Sequence, residues 1–513
     1  MKKYISLILV LILLFSVCLT GCHEEEVIVP SNSGEHTDAN DDGVCDDCSE
    51  SVLVNFDFYV INDLHGKFDD SDTQPGVDEL SSFLRGAQFA NENTILLSSG
   101  DMWQGSSESN LTKGQIVTEW MNDLDFVSMT LGNHEFDWGE EPVKANKEIA
   151  EFPFLAINIY SRETDQRVDY CDASVMIDKN GIQIGIIGAI GDCYSSIAPD
   201  WTKDIYFKTG ADLTKLVKDE ALKLRQEGAD FIVYSIHDGF GGKDYGDNIS
   251  DQALSAYYDS ALSNGYVDVI FEGHTHKYYV KQDRHGAYHM QGGGDNVGII
   301  HFDVNINSVT GSNQVVDAKF IGTEKYSATY SDDPIVDDLL EKYKDVVGVG
   351  KSVLGYNSVS RNRDELRKIA AKLYYEKGME LWGDEYDIVL GGGFFSVRSP
   401  GYLEQGDVTY SKLQMIFPFD NKLVLSSIKG RDLKEKFIDT DNDNYFIAYG
   451  DYGASVIRNI DPNATYYIIV DSYTSTYSYN NITEIQRYEE EVYLRDLFAD
   501  YAENGLFEGG HVN

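Results

Sequence analysis

The chain has 513 residues, more than a single hydrophobic core organises, so two folded domains with appendages are expected. Hydrophobic residues at 42% and aromatics at 12% exclude a disordered polymer. A formal net charge of -45 excludes a surface built to hold nucleic-acid polymer or anionic headgroups, so any anionic substrate needs a strong local positive centre.

The N-terminus reads as a targeting segment. Lys2 and Lys3 precede an apolar stretch from Ile5 to Leu19, broken only by Ser6 and Ser16. A basic start with a short apolar core is a secretory signal, and the run is short of the ~20 residues that a membrane span needs. The ending Leu19-Thr20-Gly21-Cys22 resembles a bacterial lipobox, in which the cysteine is lipidated after cleavage. Residues 1–22 are therefore expected to be a lipoprotein signal peptide. Cys22 would anchor the chain at the cell surface, outside the cytoplasmic membrane.

Residues 23–50 are polar and acidic and read as a tether. Within them Asp38-Ala39-Asn40-Asp41-Asp42-Gly43 spaces oxygen donors like the start of a calcium loop, but Ser49 stands where such loops carry glutamate. Cys45 and Cys48 with His36 offer three zinc donors or a disulfide. A flexible spacer is the reading taken, with a small calcium or disulfide knot as the alternative. Cys171 and Cys193 lie in the folded body, where either a disulfide or two buried thiols is open.

The body begins with a strand over 52–61, running into Asn62-Asp63-Leu64-His65-Gly66. A helical stretch over 77–90 follows, then a strand over 94–99 ending in Gly100-Asp101. The apolar run 126–131 ends in Gly132-Asn133-His134-Glu135-Phe136-Asp137. A strand over 231–236 ends in His237-Asp238-Gly239, and one over 267–272 in Gly273-His274-Thr275-His276. Five times a buried strand delivers polar donors at its C-terminal end, where α/β proteins place their sites. Helical stretches over 213–227 and 251–263 alternate with the strands, which predicts layered α/β architecture. Residues 333–346 read as one acidic amphipathic helix. With the glycine- and serine-rich passage after it, that helix marks a linker over 331–355 between a domain at 51–330 and a smaller one at 356–513.

Asp63, His65, Asp101, Asn133, His237, His274 and His276 are all oxygen or imidazole donors, the set that suits zinc, manganese, iron or cobalt. Eight of the eleven histidines fall between His65 and His301 inclusive, and none between Phe302 and Gly510. That confinement points to a site rather than to scattered packing.

In order, these motifs resemble the calcineurin-like metallophosphoesterase superfamily, and the two-domain layout resembles its 5′-nucleotidase branch. The resemblance covers about residues 51–475. It implies a four-layer αββα domain followed by a smaller α/β substrate-binding domain. It further implies that Asp63, His65 and His276 hold one divalent cation and that Asn133, His237 and His274 hold a second, with Asp101 bridging. A carboxylate has two oxygens to share between cations ~3.5–4 Å apart. His134 is implied as the group that stabilises the phosphoryl transition state or protonates the leaving oxygen, with Asp137 orienting it. Two divalent cations against two carboxylates leave the site near +2, so a phosphate is attracted despite the distant -45, which solvent screens beyond ~8–10 Å.

In the second domain Gly391-Gly392-Gly393-Phe394-Phe395-Ser396-Val397-Arg398 resembles the branch's glycine-rich loop ending in a phosphate-binding arginine. Here four residues separate the last glycine from Arg398. Phe417-Pro418-Phe419-Asp420-Asn421 resembles the Pro-Phe-x-Asn segment of the branch. Base stacking in this branch uses two aromatics, for which Tyr449 or Tyr452 and Tyr473 or Tyr477 are the candidates. Asn133 would also touch substrate.

The sequence thus predicts an exported dimetal phosphohydrolase. It would release phosphate from nucleoside 5′-monophosphates or related nucleotides by attack of metal-bound hydroxide on phosphorus. A 2′,3′-cyclic-nucleotide phosphodiesterase or nucleotide-sugar hydrolase on the same site is the enzymatic alternative. A surface nucleotide-binding lipoprotein is the non-enzymatic one.

Overall fold

The structure is a computed structural model that describes residues 36–508 apart from 48, 69–75, 241–264, 295–297, 328, 394, 399, 436–446, 450–459 and 477–480. The helix expected over 251–263, the signal segment with Cys22, Cys48, Tyr452 and Tyr477 lie outside the described residues.

Two six-stranded sheets lie face to face. The first runs Asn313–Ile321, Ile299–Asn307, β1 (Leu53–Ile61), β2 (Thr94–Ser98), β3 (Ser128–Thr130) and Phe154–Leu155. The second runs Tyr278–Gln282, Tyr288–Gly292, β5 (Val269–Phe271), β4 (Phe231–His237), Ile182–Ile190 and Ser174–Lys179. β1, β2 and β3 are mutually parallel, and so are β4 and β5. Parallel strands end on the same side, so five loops converge on one rim.

The period of two in β1 decides its two faces. Phe56, Phe58 and Val60 enter the core between the sheets with Ile95, Leu97, Phe231, Val233, Phe271 and Phe302. Phe58 stands with ring centroids 5.8 Å from Phe231 and 6.1 Å from Phe302, so aromatic contact crosses the gap between sheets. Burying each such ring contributes ~1.5–3 kcal/mol. Tyr59 and Ile61 face the other way, into a cluster with Leu80, Leu84, Ile116 and Trp120 from the helices Asp78–Ala90 and Gln115–Asp123. Behind the second sheet Leu213, Val217, Ala221 and Leu224 form the apolar stripe of the helix Gly210–Gln226 and cover Ile232, Tyr234 and Ile236. The order is helix, sheet, sheet, helix, as expected.

The helix expected over 333–346 is two helices, Pro334–Lys342 and Lys344–Lys351. Asp333 caps the first by accepting from the Ile335 amide at 3.0 Å. Tyr343 leaves helical backbone at φ -97°, ψ 9°, where its hydroxyl donates to Glu119 Oε1 at 2.9 Å. The rest of the chain adds a five-stranded sheet ordered Ile447–Tyr449, Ile388–Gly393, Thr465–Asp471, Leu423–Lys429 and Ile482–Arg487. The helix Arg363–Trp382 covers it, started by a reciprocal cap between Asn362 and Glu365. Gly391–Gly393, expected as a loop, are the end of a strand. A Cβ on Gly391 would lie 2.4 Å from Tyr375 N and 2.8 Å from Ala371 O, so glycine lets this helix lie down on the sheet.

The described part of the tether is not a free spacer. Asp38 is buried and accepts from the amides of Asp42 and Gly43 and from Asn307 Nδ2 at 2.7 Å, while Thr310 and Ser312 donate to Asp41 Oδ1. The stretch from Asp38 to Gly43 is thereby pinned to the turn at 307–312. Cys171 and Cys193 are both free buried thiols.

Candidate metal centre

The loops after β1 and β2 are laced by backbone bonds. Asp63 N donates to Gly100 O at 2.9 Å, His65 N to Asp101 O at 3.0 Å and Gly66 N to Met102 O at 2.8 Å. The loops after β3 and β5 join through carboxylates: His134 N donates to Asp101 Oδ1 at 2.8 Å, and His274 N to Asp63 Oδ2 at 2.9 Å. Gly132 must be small because Asp101 Oδ1 would lie 2.3 Å from any Cβ there. Five donor residues take left-handed backbone: Asp63 (φ 51°), His65 (52°), Asp101 (54°), His274 (71°) and His276 (54°). Each costs on the order of 1 kcal/mol, and such outliers collect where side chains must be aimed.

Asp63, His65 and His276 place donor atoms within 4.8 Å of one another. His65 Nδ1 donates to Gln104 O at 2.8 Å, which leaves its Nε2 as an acceptor, 3.0 Å from His276 Nε2. Burial, and then the neighbouring His276 and His134, hold the His65 imidazole well below its ordinary range, so it stays neutral. Asp63, Asp101 and His237 form a second group. His237 Nδ1 donates to Ser99 O at 2.7 Å, so its Nε2 faces Asp101 Oδ2 across 2.9 Å. Two acceptors at that separation call for a cation between them. With only protons available, burial lowers the His237 pKa but the Asp101 carboxylate outweighs it and lifts it to about 10.

His237 Nε2, Asp101 Oδ2 and Asn133 Oδ1 are buried and lack hydrogen-bond partners among the described residues. Buried acceptors without donors are costly unless a cation satisfies them. The His274 ring stands edge-on to His237 at 5.6 Å. All seven predicted donors are brought to the rim, and their chemistry fits two divalent ions.

His134 opens a short 3₁₀ turn after Asn133. Its Nδ1 donates to Asp137 Oδ2 at 2.7 Å, and its Nε2 accepts from Arg398 Nη2 at 3.0 Å. Burial pulls the imidazole down, but the carboxylates of Asp137 and Asp101 outweigh it and hold its pKa above the ordinary value. Arg398 Nε is buried with no acceptor among the described residues, a donor left for a ligand oxygen.

Two contributors escaped the sequence reading. Glu135 is fully buried and accepts from the amides of Gly132 (2.7 Å), Asp101 (2.9 Å), Met102 (2.8 Å) and Trp103 (3.3 Å). It ties the β2 loop to the β3 loop. Burial and Asp101 push its carboxyl up to about 7, against the pull of the Gly132 and Asp101 amides. The available signal was an acid inside a motif that otherwise supplies ligands. The second is Phe419, whose ring centroid is 6.1 Å from that of His134 and 5.2 Å from Arg398 Cζ. Its signal was its place in the Pro-Phe-x-Asn segment. Tyr449 instead stands edge-on to Tyr375 of the covering helix, and Tyr473 is half-exposed in the short helix Ser472–Thr476. The structure does not set either ring against His134.

Beneath the β5 loop, Glu272 accepts from His289 Nδ1 at 2.9 Å and from the Tyr279 hydroxyl. Gln291 Oε1 accepts from Thr275 Oγ1 at 3.0 Å and Lys277 N at 3.1 Å. This network grips both sides of His274 and His276.

The family model of the calcineurin-like phosphoesterases matches residues 56–278, a span that contains all seven donors. Protein UshA of Yersinia enterocolitica is 29% identical over 392 residues, covering 68% of this chain and 68% of that protein. A 5′-nucleotidase of Vibrio cholerae is 33% identical over 186 residues, 36% of this chain and 32% of the relative. The solved structure of a 5′-nucleotidase precursor from Thermus thermophilus superimposes with a TM-score of 0.66 at 16% identity, covering 88% of this chain and 96% of the other.

Proposed function

We propose that this chain, whose residues 56–278 match the calcineurin-like phosphoesterase family, releases phosphate from nucleoside 5′-monophosphates or related nucleotides at two divalent cations. The observation that carries this reading is the 3.0 Å contact between Arg398 Nη2 and His134 Nε2, which joins a phosphate-binding fork of residues 356–513 to the donor rim of residues 51–330.

Asp63, His65 and His276 would hold the first cation and Asn133, His237 and His274 the second, with Asp101 available to both. Zinc, manganese, iron or cobalt suits this donor set. When bound, the pair supplies Lewis-acid stabilisation of phosphoryl charge and lowers the pKa of a water toward ~7. The chain's own residues do the rest. Arg398 forks onto phosphate oxygens, which fills its unpaired Nε and draws it off His134. His134, its Nδ1–H fixed on Asp137, then has Nε2 free to hold or deliver a proton at the leaving oxygen. Phe419 offers a flat apolar face beside that imidazole for a nucleobase or ribose. The acidic surface keeps nucleic-acid polymer away, and Cys22 anchors the chain by lipid outside the cytoplasmic membrane.

The test is phosphate release by the soluble fragment from Glu24 onward. The panel is AMP, other monophosphates, UDP-glucose and a 2′,3′-cyclic nucleotide, with added manganese or zinc and with chelator. Metal-dependent release from monophosphates, lost in His134→Ala, is expected. Turnover of the diesters alone would keep the metal assignment and discard the nucleotidase one.

A further inference from the structure

Cys193 is a buried thiol that the proposed mechanism leaves unused. It follows the strand Ile182–Ile190 in a short turn, Asp192–Ser196, beside the end of β4. Its Sγ donates to the carbonyl oxygen of His237 at 2.8 Å, so sulfur rests on the residue whose ring faces the second cation position. Sγ, one ring nitrogen of His237 and one of His274 lie within 4.8 Å of one another. His237 Nε2, and near it Asp101 Oδ2, together with Asn133 Oδ1, have no hydrogen-bond partner among the described residues, on side chains at most 1% exposed.

A thiol in a wholly apolar pocket is usually filler. Cys193 does touch the apolar cluster through its own turn, yet its sulfur faces two imidazoles. A cation bonded to sulfur at ~2.3 Å and to nitrogen at ~2.1 Å keeps those atoms no more than ~4.4 Å apart. Movement of a few tenths of an ångström at most brings the triad into that range, well within a side-chain adjustment.

We propose that Cys193 is an additional ligand of the second cation position, beside His237, His274, Asn133 and Asp101; this rests on the dimetal reading above. On binding, the S–H bond breaks, a sulfur–metal bond forms and the proton leaves to solvent. The charge at the centre falls by one, and the second position becomes selective for thiophilic ions such as zinc or cobalt over manganese.

The test is spectroscopic and needs no turnover. The exported chain, stripped with chelator and dialysed, is titrated with cobalt(II) while bound metal is counted. The second equivalent is expected to bring a near-ultraviolet sulfur-to-cobalt charge-transfer band. Cys193→Ser should lose that band and bind the second ion ~10-fold or more weakly, with the first unaffected. Cys171→Ser and Cys45→Ser should keep it, and they localise the band even if the Cys193 variant folds poorly. Two bound cobalt ions without the band in the wild type, or an undiminished band in Cys193→Ser, overturns the proposal and leaves the dimetal reading standing. A wild type that binds no cobalt overturns both.

Discussion

Polar groups are held differently at the rim of the two facing sheets and on the five-stranded sheet that follows them. At the rim, five parallel strand ends converge, five donors sit in strained left-handed backbone, and three buried acceptors have no partner among the described residues. In the later half, Arg398 and Phe419 reach the same place from segments between regular elements, and nearby tyrosines pack on other tyrosines. The difference is one of tolerance. A cation accepts few ligand types in few arrangements, so the rim is over-determined. A flat ring for a base can come from many positions, so the later half is free to vary which aromatic it offers.

That contrast breaks most sharply at His134. We predict that His134→Ala lowers kcat by ~10²–10⁴-fold while two metal ions stay bound. Steady-state phosphate release with metal analysis checks this, and loss of metal in the variant would move His134 into the ligand set. Next comes Glu135. Its alanine variant strands four buried amides, each worth ~1–3 kcal/mol and not fully additive. We expect ~3–5 kcal/mol of lost stability in urea unfolding, with Glu135→Gln between the two. A change under ~1 kcal/mol would mean the loops are held without it. In the later half, Arg398→Ala should raise KM for a monophosphate by ~10–100-fold with a smaller change in kcat, and Arg398→Lys should recover only part because lysine lacks the fork.

The sequence made the rim legible because its constraint is local. Asp63 and His65, or His274 and His276, are two residues apart after an apolar run, and the chemistry of N/O ligation needs nothing more to be recognised. What could not be read depends on distant partners. Tyr343 interrupts a good helical pattern because Glu119 holds its hydroxyl. The described part of the tether is held in place because Asp38 meets Asn307, 269 residues away. Gly391–Gly393 look like a loop until a helix is packed 2.4 Å from where a Cβ would be. Phe419 stands in a recognisable motif, yet its nearness to His134 depends on how the segment that follows the five-stranded sheet's first strand in the chain docks on the rim.

A smaller effect tests whether the network under the rim belongs to the rim's rigidity. Burial lowers the His289 pKa, but Asp283 and Glu272 outweigh it and lift it to about 9. A histidine held above its unfolded value near 6.5 stabilises fully below that value, and the stabilisation is lost as pH rises toward 9. We predict a fall of about 2 kcal/mol over that window in chelator, where metal binding makes no contribution. Urea unfolding at the two ends should show a shallower slope in His289→Gln than in the wild type, the remainder coming from His237, which is also lifted in chelator. Equal slopes would place the pH dependence elsewhere.

The smallest expected effect is the most informative about the later half. Tyr449 was a candidate stacking ring, but its centroid lies 6.0 Å from Tyr375 at 60°, an edge-on packing contact, and the ring beside His134 is that of Phe419. Tyr449 is also 43% exposed, so truncation removes little buried area. Tyr449→Ala should therefore change kcat/KM for AMP by less than about twofold, while Phe419→Ala should raise KM by ~10-fold, the ~1–3 kcal/mol that a base–aromatic stack contributes. Measured across adenosine, uridine and inosine monophosphates, the Phe419 loss should be similar for each base, because every base has a face to stack. If Tyr449→Ala instead carries the larger loss, the two halves meet substrate in an arrangement in which the tyrosine swings to the rim, and the tolerance argued for the later half includes which ring does the work.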